Sequence, residues 1–252
     1  MKPDQVQFIE TTHSTNVTLR ENLSRYLKYG FDEFPFYAIY THKQTDGKGL
    51  GSNRWLSQDG ENLLISFLFQ PPITVQNQFY FNQYFAISVR QFLAQYVQNP
   101  IIKWPNDIYV GNKKMAGILI EHGVQGNNLT YSIAGVGINI NQTLFEPELP
   151  NPTSVALITG KKNTITEMIP QLTDTLTNLY HLILHEDFSK LQEIYLNHLF
   201  QYQKPAQYII KGEEFTGTIT GLSPFGQLII ETESKKVFTC HYKEVQFILP
   251  KS

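Results

Sequence analysis

Hydrophobic and polar positions along the chain alternate with two different periods, and these periods predict the elements of the first hundred residues. Leucine and tyrosine recur at helical spacing over residues 14–29, and an apolar helical pattern returns over residues 79–97. Two runs of strand-forming residues, 36–41 and 62–69, lie between these helices. The polar, glycine-rich segment 42–54 joins the two runs, so we predict that it forms a loop between strands.

After residue 100 the pattern predicts consecutive strands with short turns. The sequence IIKW leads into DIYV, a Gly111-Asn112 turn follows, and KMAGILIE continues the strand pattern. A second turn at residues 126–128 precedes LTYSIAGVGINI, where Gly135 and Gly137 leave room for a close approach to the backbone. Three strands in succession predict an antiparallel meander.

The second half of the chain predicts helices followed by a small β unit. Residues 145–152, rich in Pro, Glu and Asn, suit a surface crossing, and Thr164 with Glu167 has the spacing of a capping box at the start of a long helix. Pro170 is expected to kink this helix, and a further helix is predicted at 190–199. Five short β-rich runs then follow: AQYIIK, FTGTITGL, QLIIET, VFTCHY and EVQFIL.

These elements predict an α+β fold, in which helices pack on a mixed or antiparallel sheet, with a small C-terminal β-barrel domain. We place the boundary between residues 1–203 and 204–252. Hydrophobic residues make up 41% and charged residues 17% of the 252, which is typical of a folded chain.

Composition excludes several functional classes. The net charge of −2 gives no sign of the basic surface that binds duplex DNA. A single cysteine, Cys240, excludes an internal disulfide and a cysteine-based zinc site. The start of the chain lacks an apolar signal segment, and no uncharged run is long enough to span a membrane. We therefore expect a cytoplasmic protein.

The segment at residues 103–121, KWPNDIYVGNKKMAGILIE, carries the most chemical information. Antiparallel strands lie about 5 Å apart, so a tight hairpin is expected to bring positions 106–107 opposite 113–114. Asn106, Asp107 and Lys114 would then converge on a metal-bound polyphosphate, with Asp107 as a Mg²⁺ ligand and Lys114 at phosphate oxygens. From the charge pattern alone, a solvated surface hairpin with an ion pair fits as well.

This segment resembles the signature of the biotin protein ligases. Two further motifs of that family, Ser14-Thr15-Asn16 and Gly47-Lys48-Gly49, precede it in the family's order and spacing, and IAGVGININ follows it. The resemblance extends over roughly residues 10–159. It implies a fold similar to the class II aminoacyl-tRNA synthetases and an ATP-dependent biotin–[acetyl-CoA-carboxylase] ligase. Such an enzyme makes biotinyl-5′-AMP and transfers biotin to a lysine of a biotin carboxyl carrier protein.

The resemblance also implies site residues for biotin, ATP and Mg²⁺. Short polar side chains suit the ureido ring of biotin, because each unpaired group in a buried site costs about 1–3 kcal/mol. The implied biotin-binding residues are Ser14, Thr15, Asn16, Gln44, Gly47, Lys48, Gly49, Leu50, Trp55 and Lys114. The implied nucleotide-binding residues are Lys103, Trp104, Asn106 and Asn139, the catalytic cations are Lys114, Lys48 and Arg54, and Asp107 is the Mg²⁺ ligand.

The glycine-rich loop departs from the family pattern. Lys48 stands where the family has arginine, and Leu50 occupies a neighbouring position that is often basic or glycine. Lysine lacks the bidentate guanidinium fork, so phosphate binding would depend on the point charge of Lys48 or on Arg54. The loop is not a Walker A motif, because it has no Gly-Lys-[Ser/Thr] ending.

Structural roles stay open for several of these residues. Ser14 or Asn16 could cap a helix, Trp55 could be a core residue, and Asn139 could simply end a packed strand.

Two other functions also stay open: a lipoate or octanoate ligase, and a biotin sensor without turnover. Only 13 residues precede Ser14, whereas the DNA-binding domain of some family members needs about 50, so we expect no DNA binding. We expect no membrane partner, and a homodimer is left open.

Overall fold

The computed structural model of the chain describes residues 4–31 and 34–249. The larger sheet has seven strands: β1 Val6–Thr12, β2 Phe36–Gln44, β3 Asn62–Phe69, β4 Pro100–Lys103, β5 Asp107–Val110, β6 Lys113–Gln125 and β7 Asn128–Asn139. Their order across the sheet is β1-β2-β3-β7-β6-β5-β4. Strands β1 and β2 run parallel and all other neighbours antiparallel, which confirms the mixed sheet and the meander β5-β6-β7.

Helices cover both faces of this sheet. They are α1 Thr15–Glu21, α2 Leu23–Tyr29, α3 Gln78–Leu93, α4 Val155–Thr159, α5 Ile165–Leu179, α6 His181–Leu184 and α7 Phe188–Asn197, with a short 3₁₀ helix at Val75–Asn77. Alternate residues of a strand point to opposite faces. Accordingly Phe67 belongs to the main core with α3 and α5, whereas Leu68 packs with Leu19 of α1 in a second cluster on the other face.

The predicted helix at 14–29 is in fact two helices separated at Asn22. The Asn22 side chain donates from Nδ2 to the carbonyl of Thr18 (2.8 Å), and its backbone (φ −101°, ψ 10°) leaves the helical region. Asparagine competes in this way for backbone groups that would otherwise continue the helix. Gly30, at φ 69°, ends the second helix.

The other predicted helices exist with shifted ends. Thr164 occupies the N-cap position of α5, but its side chain makes no capping bond, so the capping box is incomplete. Helix α7 begins two residues earlier than predicted because the Asp187 side chain accepts from the backbone N–H of Lys190. Helix α4 was not predicted.

All five β-rich runs near the C-terminus form strands: β8 Pro205–Ile210, β9 Glu213–Leu222, β10 Leu228–Thr232, β11 Val237–Cys240 and β12 Val245–Phe247. The prediction of a barrel is wrong, because their order β11-β10-β9-β8-β12 describes an open antiparallel sheet. Among the described residues, β11 pairs with β10 and the three-residue β12 pairs with β8, so neither edge reaches the other.

The C-terminal sheet and its loops pack against the rest of the fold and share its core. Trp104 Nε1 donates to the carbonyl of Gly226 (2.8 Å), and a Cβ on Gly226 would lie 2.2 Å from the ring of Phe79. Tyr208 and Ile219 belong to the same buried cluster as Phe67. The division of the chain at residues 203 and 204 therefore stays a prediction. No helix in the described part combines the length and apolar character needed to cross a bilayer.

Candidate active site

A cavity of about 380 Å³ lies on the sheet face that α1 covers only in part. Its walls come from the start of α1, the glycine-rich loop after β2, strands β4 to β7, and the end of the C-terminal sheet. All but two of the predicted site residues line it: Ser14, Thr15, Asn16, Gln44, Lys48, Gly49, Leu50, Arg54, Trp55, Lys103, Trp104, Asn106, Asp107 and Lys114. Segments that are far apart in the sequence thus meet at one place.

Glycines form the floor of the cavity where β6 and β7 pair. Gly117 lies opposite Gly137, and the indole of Trp55 rests on both. A Cβ on Gly137 would lie 2.3 Å from Trp55 Cε2, and one on Gly135 would lie 2.1 Å from Asn16 Oδ1. No side chain fits at these positions, so the floor requires glycine.

One end of the cavity is neutral and closely hydrogen-bonded. Gln44 Oε1 accepts from the backbone N–H of Thr15 (2.9 Å) and from its hydroxyl (3.2 Å). Ser66 Oγ lies 2.6 Å from both Thr15 Oγ1 and Asn16 Oδ1. Asn16 Nδ2 in turn donates to a carboxylate oxygen of Glu121 (2.8 Å). We name Thr15, Asn16, Gln44 and Ser66 the polar network.

Two polar groups at this end of the cavity, the Ser14 hydroxyl and the Gln44 amide nitrogen, have no partner within the described residues. Ser14 is buried at the N-cap position of α1, but its hydroxyl makes no capping bond. The amide nitrogen of Gln44 donates to no described acceptor, whereas its oxygen accepts twice. A ligand at this end of the cavity would therefore meet one free hydroxyl and one free amide N–H₂.

The glycine-rich loop folds into a small hairpin whose cations are paired. Trp55 donates its backbone N–H to the carbonyl of Gly47 (2.9 Å). Asp46 accepts from Lys48, and its Oδ1 lies 3.0 Å from a guanidinium nitrogen of Arg54. The hydrogen bond from Lys48 is the main cause that lowers the pKa of Asp46 below its usual value. The loop therefore neutralises part of its own positive charge.

The other end of the cavity is formed by the hairpin β5-β6. The turn at Gly111-Asn112 places Val110 opposite Lys113 and Tyr109 opposite Lys114, and beyond a bulge Asp107 pairs with Gly117. The predicted pairing of 106–107 with 113–114 is therefore wrong. The long side chain of Lys114 nevertheless reaches back, and its Nζ lies 2.7 Å from Asp107 Oδ1. The carboxylate of Asp107 and the ammonium of Lys114 therefore meet as expected, although the two residues are not paired across the strands.

Lys103 lies beside this pair in a different environment. Its Nζ is 4.6 Å from the ring centre of Phe247 and 5.2 Å from that of Tyr109. Burial lowers the pKa of Lys103; Asp107 raises it and Lys114 lowers it further. Across the described part of the chain, no carboxylate lies within 4.0 Å of this ammonium.

Two predicted site residues do not line the cavity. Gly47 forms the base of the loop hairpin, where a Cβ would lie 2.5 Å from the carbonyl oxygen of Trp55. Asn139 is buried, and its Nδ2 donates to the carbonyl of Thr153 (2.9 Å). This geometry fits the structural role of Asn139 that the sequence left open.

Sequence reasoning missed several residues of the site. Ser66 lies inside the apolar run NLLISFLF, and its polar side chain was the only sequence signal that marked it. Asp46 directly precedes the Gly47-Lys48-Gly49 motif, but no role was predicted for it. Residues Tyr242, Val245, Gln246 and Phe247 of the C-terminal sheet also line the cavity, and no motif marks them.

The sequence is similar to those of known proteins. The sequence model of the biotin/lipoate A/B protein ligase family matches residues 8–139. The chain is 28% identical over 208 residues to the bifunctional ligase/repressor BirA of Bacillus subtilis, covering 80% of this chain and 64% of that protein. It is 26% identical over 133 residues to the biotin–[acetyl-CoA-carboxylase] ligase of Paracoccus denitrificans, covering 51% and 55%. The chain thus spans less than two thirds of the length of these relatives.

Solved structures share the fold. The biotin protein ligase of Aquifex aeolicus in complex with biotin and ATP superposes with a TM-score of 0.77 at 23% identity, covering 97% of this chain and all of that one. The biotin protein ligase of Leishmania major in complex with biotinyl-5-AMP gives a TM-score of 0.61 at 18% identity, covering 95% and 99%. At these identities the likeness establishes the architecture.

Proposed function

Because the chain belongs to the biotin/lipoate A/B protein ligase family, we propose that it is an ATP-dependent biotin protein ligase. It activates biotin to biotinyl-5′-AMP and then transfers the biotinyl group to one lysine of a biotin carboxyl carrier protein. The observation that carries this proposal is a cavity that joins a neutral, hydrogen-bonding end to a cationic end. The names of the relatives from Paracoccus denitrificans and Aquifex aeolicus support the choice of biotin and ATP.

Biotin binds at the neutral end. Its ureido ring carries two N–H donors and one carbonyl acceptor, and a buried site must match each of them. The free amide of Gln44 can donate to the ureido carbonyl, and the Ser14 hydroxyl can accept from an N–H. The glycine floor lets the indole of Trp55 lie against the sheet, and this indole offers a flat apolar surface to the ring system of biotin.

ATP binds at the cationic end. In the first step an oxygen of the biotin carboxylate attacks the α-phosphorus, an O–P bond forms, and the bond to pyrophosphate breaks. Negative charge accumulates on the phosphoryl oxygens, and Lys114 and Lys103 are already in place to stabilise it. Lys48 and Arg54 join them when phosphate replaces Asp46 as their partner. Trp104 and Asn106 form the wall behind these cations.

The residues present fit a Mg²⁺ that enters with ATP. Asp107 is the carboxylate among the described residues that line the cavity, and Lys114 occupies one of its two oxygens. Mg²⁺ in phosphate-transfer sites is held by one or two carboxylates together with phosphate oxygens and water. No group of three or more His, Cys, Asp or Glu in the described part could hold a metal by itself. Asp107 would therefore hold the ion together with the phosphates, and the ion would supply positive charge to the reacting phosphoryl group.

In the second step the ε-amine of the carrier lysine attacks the acyl carbonyl, a C–N bond forms, and AMP leaves. A free lysine with a pKa of about 10.4 must lose its proton, which costs about 4.6 kcal/mol at pH 7. The ammonium of Lys114 beside the acyl group lowers the pKa of the incoming amine and so reduces that cost. The proton of the amine passes to solvent.

We include a cytoplasmic location in the proposal, supported by a single cysteine that is free and buried. The absence of DNA binding is supported by the net charge of −2.

Label transfer to an apo carrier domain tests the proposal. The protein, biotin and MgATP are incubated with the domain, and biotin is read by a streptavidin blot. We expect a labelled carrier that disappears when its acceptor lysine is replaced by arginine or when ATP is omitted. An unlabelled carrier, with lipoate or octanoate transferred instead, would favour the lipoate-type ligase. Biotin binding without any transfer would favour the sensor.

A further inference from the structure

The cationic side chains that line the cavity differ in their partners within the protein. Lys48 and Arg54 are paired with Asp46, and Lys114 with Asp107. Lys103 has no such carboxylate among residues 4–31 and 34–249, and its ammonium instead faces two aromatic rings. Its positive charge is therefore not neutralised before a ligand arrives.

Of the two rings, that of Phe247 lies closer to the ammonium and comes from the other sheet. Its centre is 4.6 Å from Lys103 Nζ, within the range of a cation–π contact. Phe247 ends β12, where it pairs with Tyr208 of β8, and the two ring centres are 5.5 Å apart. Phe200 packs on it from another side at 6.1 Å. The position of the ring is thus fixed by the C-terminal sheet.

The ring of Phe247 and the carboxylate of Asp107 both attract the ammonium of Lys103. A lysine stem is flexible, and Asp107 is near enough to raise the pKa of Lys103. Without the ring, the ammonium would turn toward this carboxylate. Lys103 would then be neutralised and Asp107, already paired with Lys114, would be less available to a metal ion.

We infer that Phe247 is a positioning residue: its ring holds the ammonium of Lys103 in the cavity as a free positive charge for the phosphates of the nucleotide. The C-terminal sheet thereby takes part in nucleotide binding through one aromatic side chain. This inference rests on the proposed function, because it takes the phosphates of ATP as the ligand of Lys103.

A double-mutant cycle on MgATP binding tests the inference. Phe247→Leu removes the ring and keeps an apolar side chain, Phe247→Tyr keeps the ring, and Lys103→Met removes the charge. We expect Phe247→Leu to weaken MgATP binding about fivefold by calorimetry and to raise KM for ATP without changing KM for biotin. Phe247→Tyr should bind within about twofold of the unmodified protein. In a Lys103→Met background, Phe247→Leu should change MgATP affinity by less than about twofold.

A purely structural role for Phe247 predicts different results. In that case Phe247→Leu would weaken biotin and ATP binding together, and the loss of affinity would persist in the Lys103→Met background. That additivity, or unchanged MgATP affinity in folded Phe247→Leu, would overturn the inference. If Phe247→Leu does not fold, Phe247→Met serves as the second variant without a ring. Biotin-dependent pyrophosphate exchange by the unmodified protein is the reference. If the unmodified protein shows no exchange, the proposed function is contradicted. If it shows exchange and Phe247→Leu binds MgATP as tightly as the unmodified protein, only this inference is contradicted.

Discussion

The two ends of the cavity are built in opposite ways. At the neutral end Thr15, Asn16 and Ser66 are buried, at 4%, 3% and 0% exposure, and each is hydrogen-bonded to another part of the chain. At the cationic end the paired side chains of Lys48 and Arg54 are 47% and 61% exposed. Hydrogen bonds act only at short range and in fixed directions, whereas charges attract over several ångströms. A neutral ring therefore needs a preformed site, and a polyphosphate can gather mobile cations around itself.

The largest effect is expected at the cationic end, from Lys114→Ala. Lys114 is the cation that serves both proposed steps, so its loss should lower biotin-dependent pyrophosphate exchange by at least about a hundredfold. The melting temperature should change little, because Lys114 pairs near the surface. The exposed neighbour Lys113 provides the matched control, since Lys113→Ala should leave exchange unchanged. Normal exchange in Lys114→Ala would refute its role.

The next effect concerns the glycine floor of the cavity. An alanine at position 137 would place its Cβ 2.3 Å from the Trp55 indole, so the ring must move into the cavity. We expect Gly137→Ala to weaken biotin binding by about tenfold or more, measured by calorimetry. Gly221→Ala is the control, because its Cβ would meet nothing within 4 Å. Unchanged biotin affinity would show that the floor is not the binding surface.

Ser66→Ala tests whether the polar network must be preformed. Thr15 and Asn16 would each lose a partner at 2.6 Å, which should cost about 1–2 kcal/mol in biotin binding and leave MgATP binding unchanged. Ser88 is an equally buried serine that donates to the carbonyl of Tyr84 (2.8 Å), far from the cavity. Ser88→Ala should lower the free energy of unfolding and leave biotin affinity unchanged. Equal biotin affinities in the two variants would contradict a preformed site.

The smallest effect is expected from Asp46→Asn, which frees Lys48 and Arg54. MgATP binding should tighten by about two- to fivefold at low salt, and the gain should vanish at high salt, because exposed pairs are weak and screened. Asp59→Asn, which breaks the exposed pair with Lys43 (2.7 Å), is the control with no expected change. Weaker MgATP binding in Asp46→Asn would mean that Asp46 orders the loop for the ligand instead of competing with it.

Local patterns in the sequence predicted the elements and most of the cavity lining. The apolar run of β3 and the turn at Gly111-Asn112 each report a local preference, and both formed as expected. The motif residues Ser14, Gln44 and Lys114 could be assigned because the family resemblance fixes their spacing.

Features that depend on distant contacts could not be predicted. The open C-terminal sheet follows from the shortness of β12. Ser66 contacts Thr15 and Asn16, and Phe247 lines the cavity, only because the fold brings β3 next to α1 and β12 next to the cavity. In each case the interaction that decides the outcome joins residues far apart in the sequence, and a local sequence pattern gives no sign of it.

The most direct test of the account is pyrophosphate exchange supported by different acids. The protein is incubated with MgATP, labelled pyrophosphate and either biotin, lipoic acid or octanoic acid. Only biotin carries a ureido ring that can pair with Ser14 and Gln44, so we expect exchange with biotin and almost none with the other two. Exchange with lipoic or octanoic acid that equals or exceeds exchange with biotin would contradict the claim that the neutral end selects biotin.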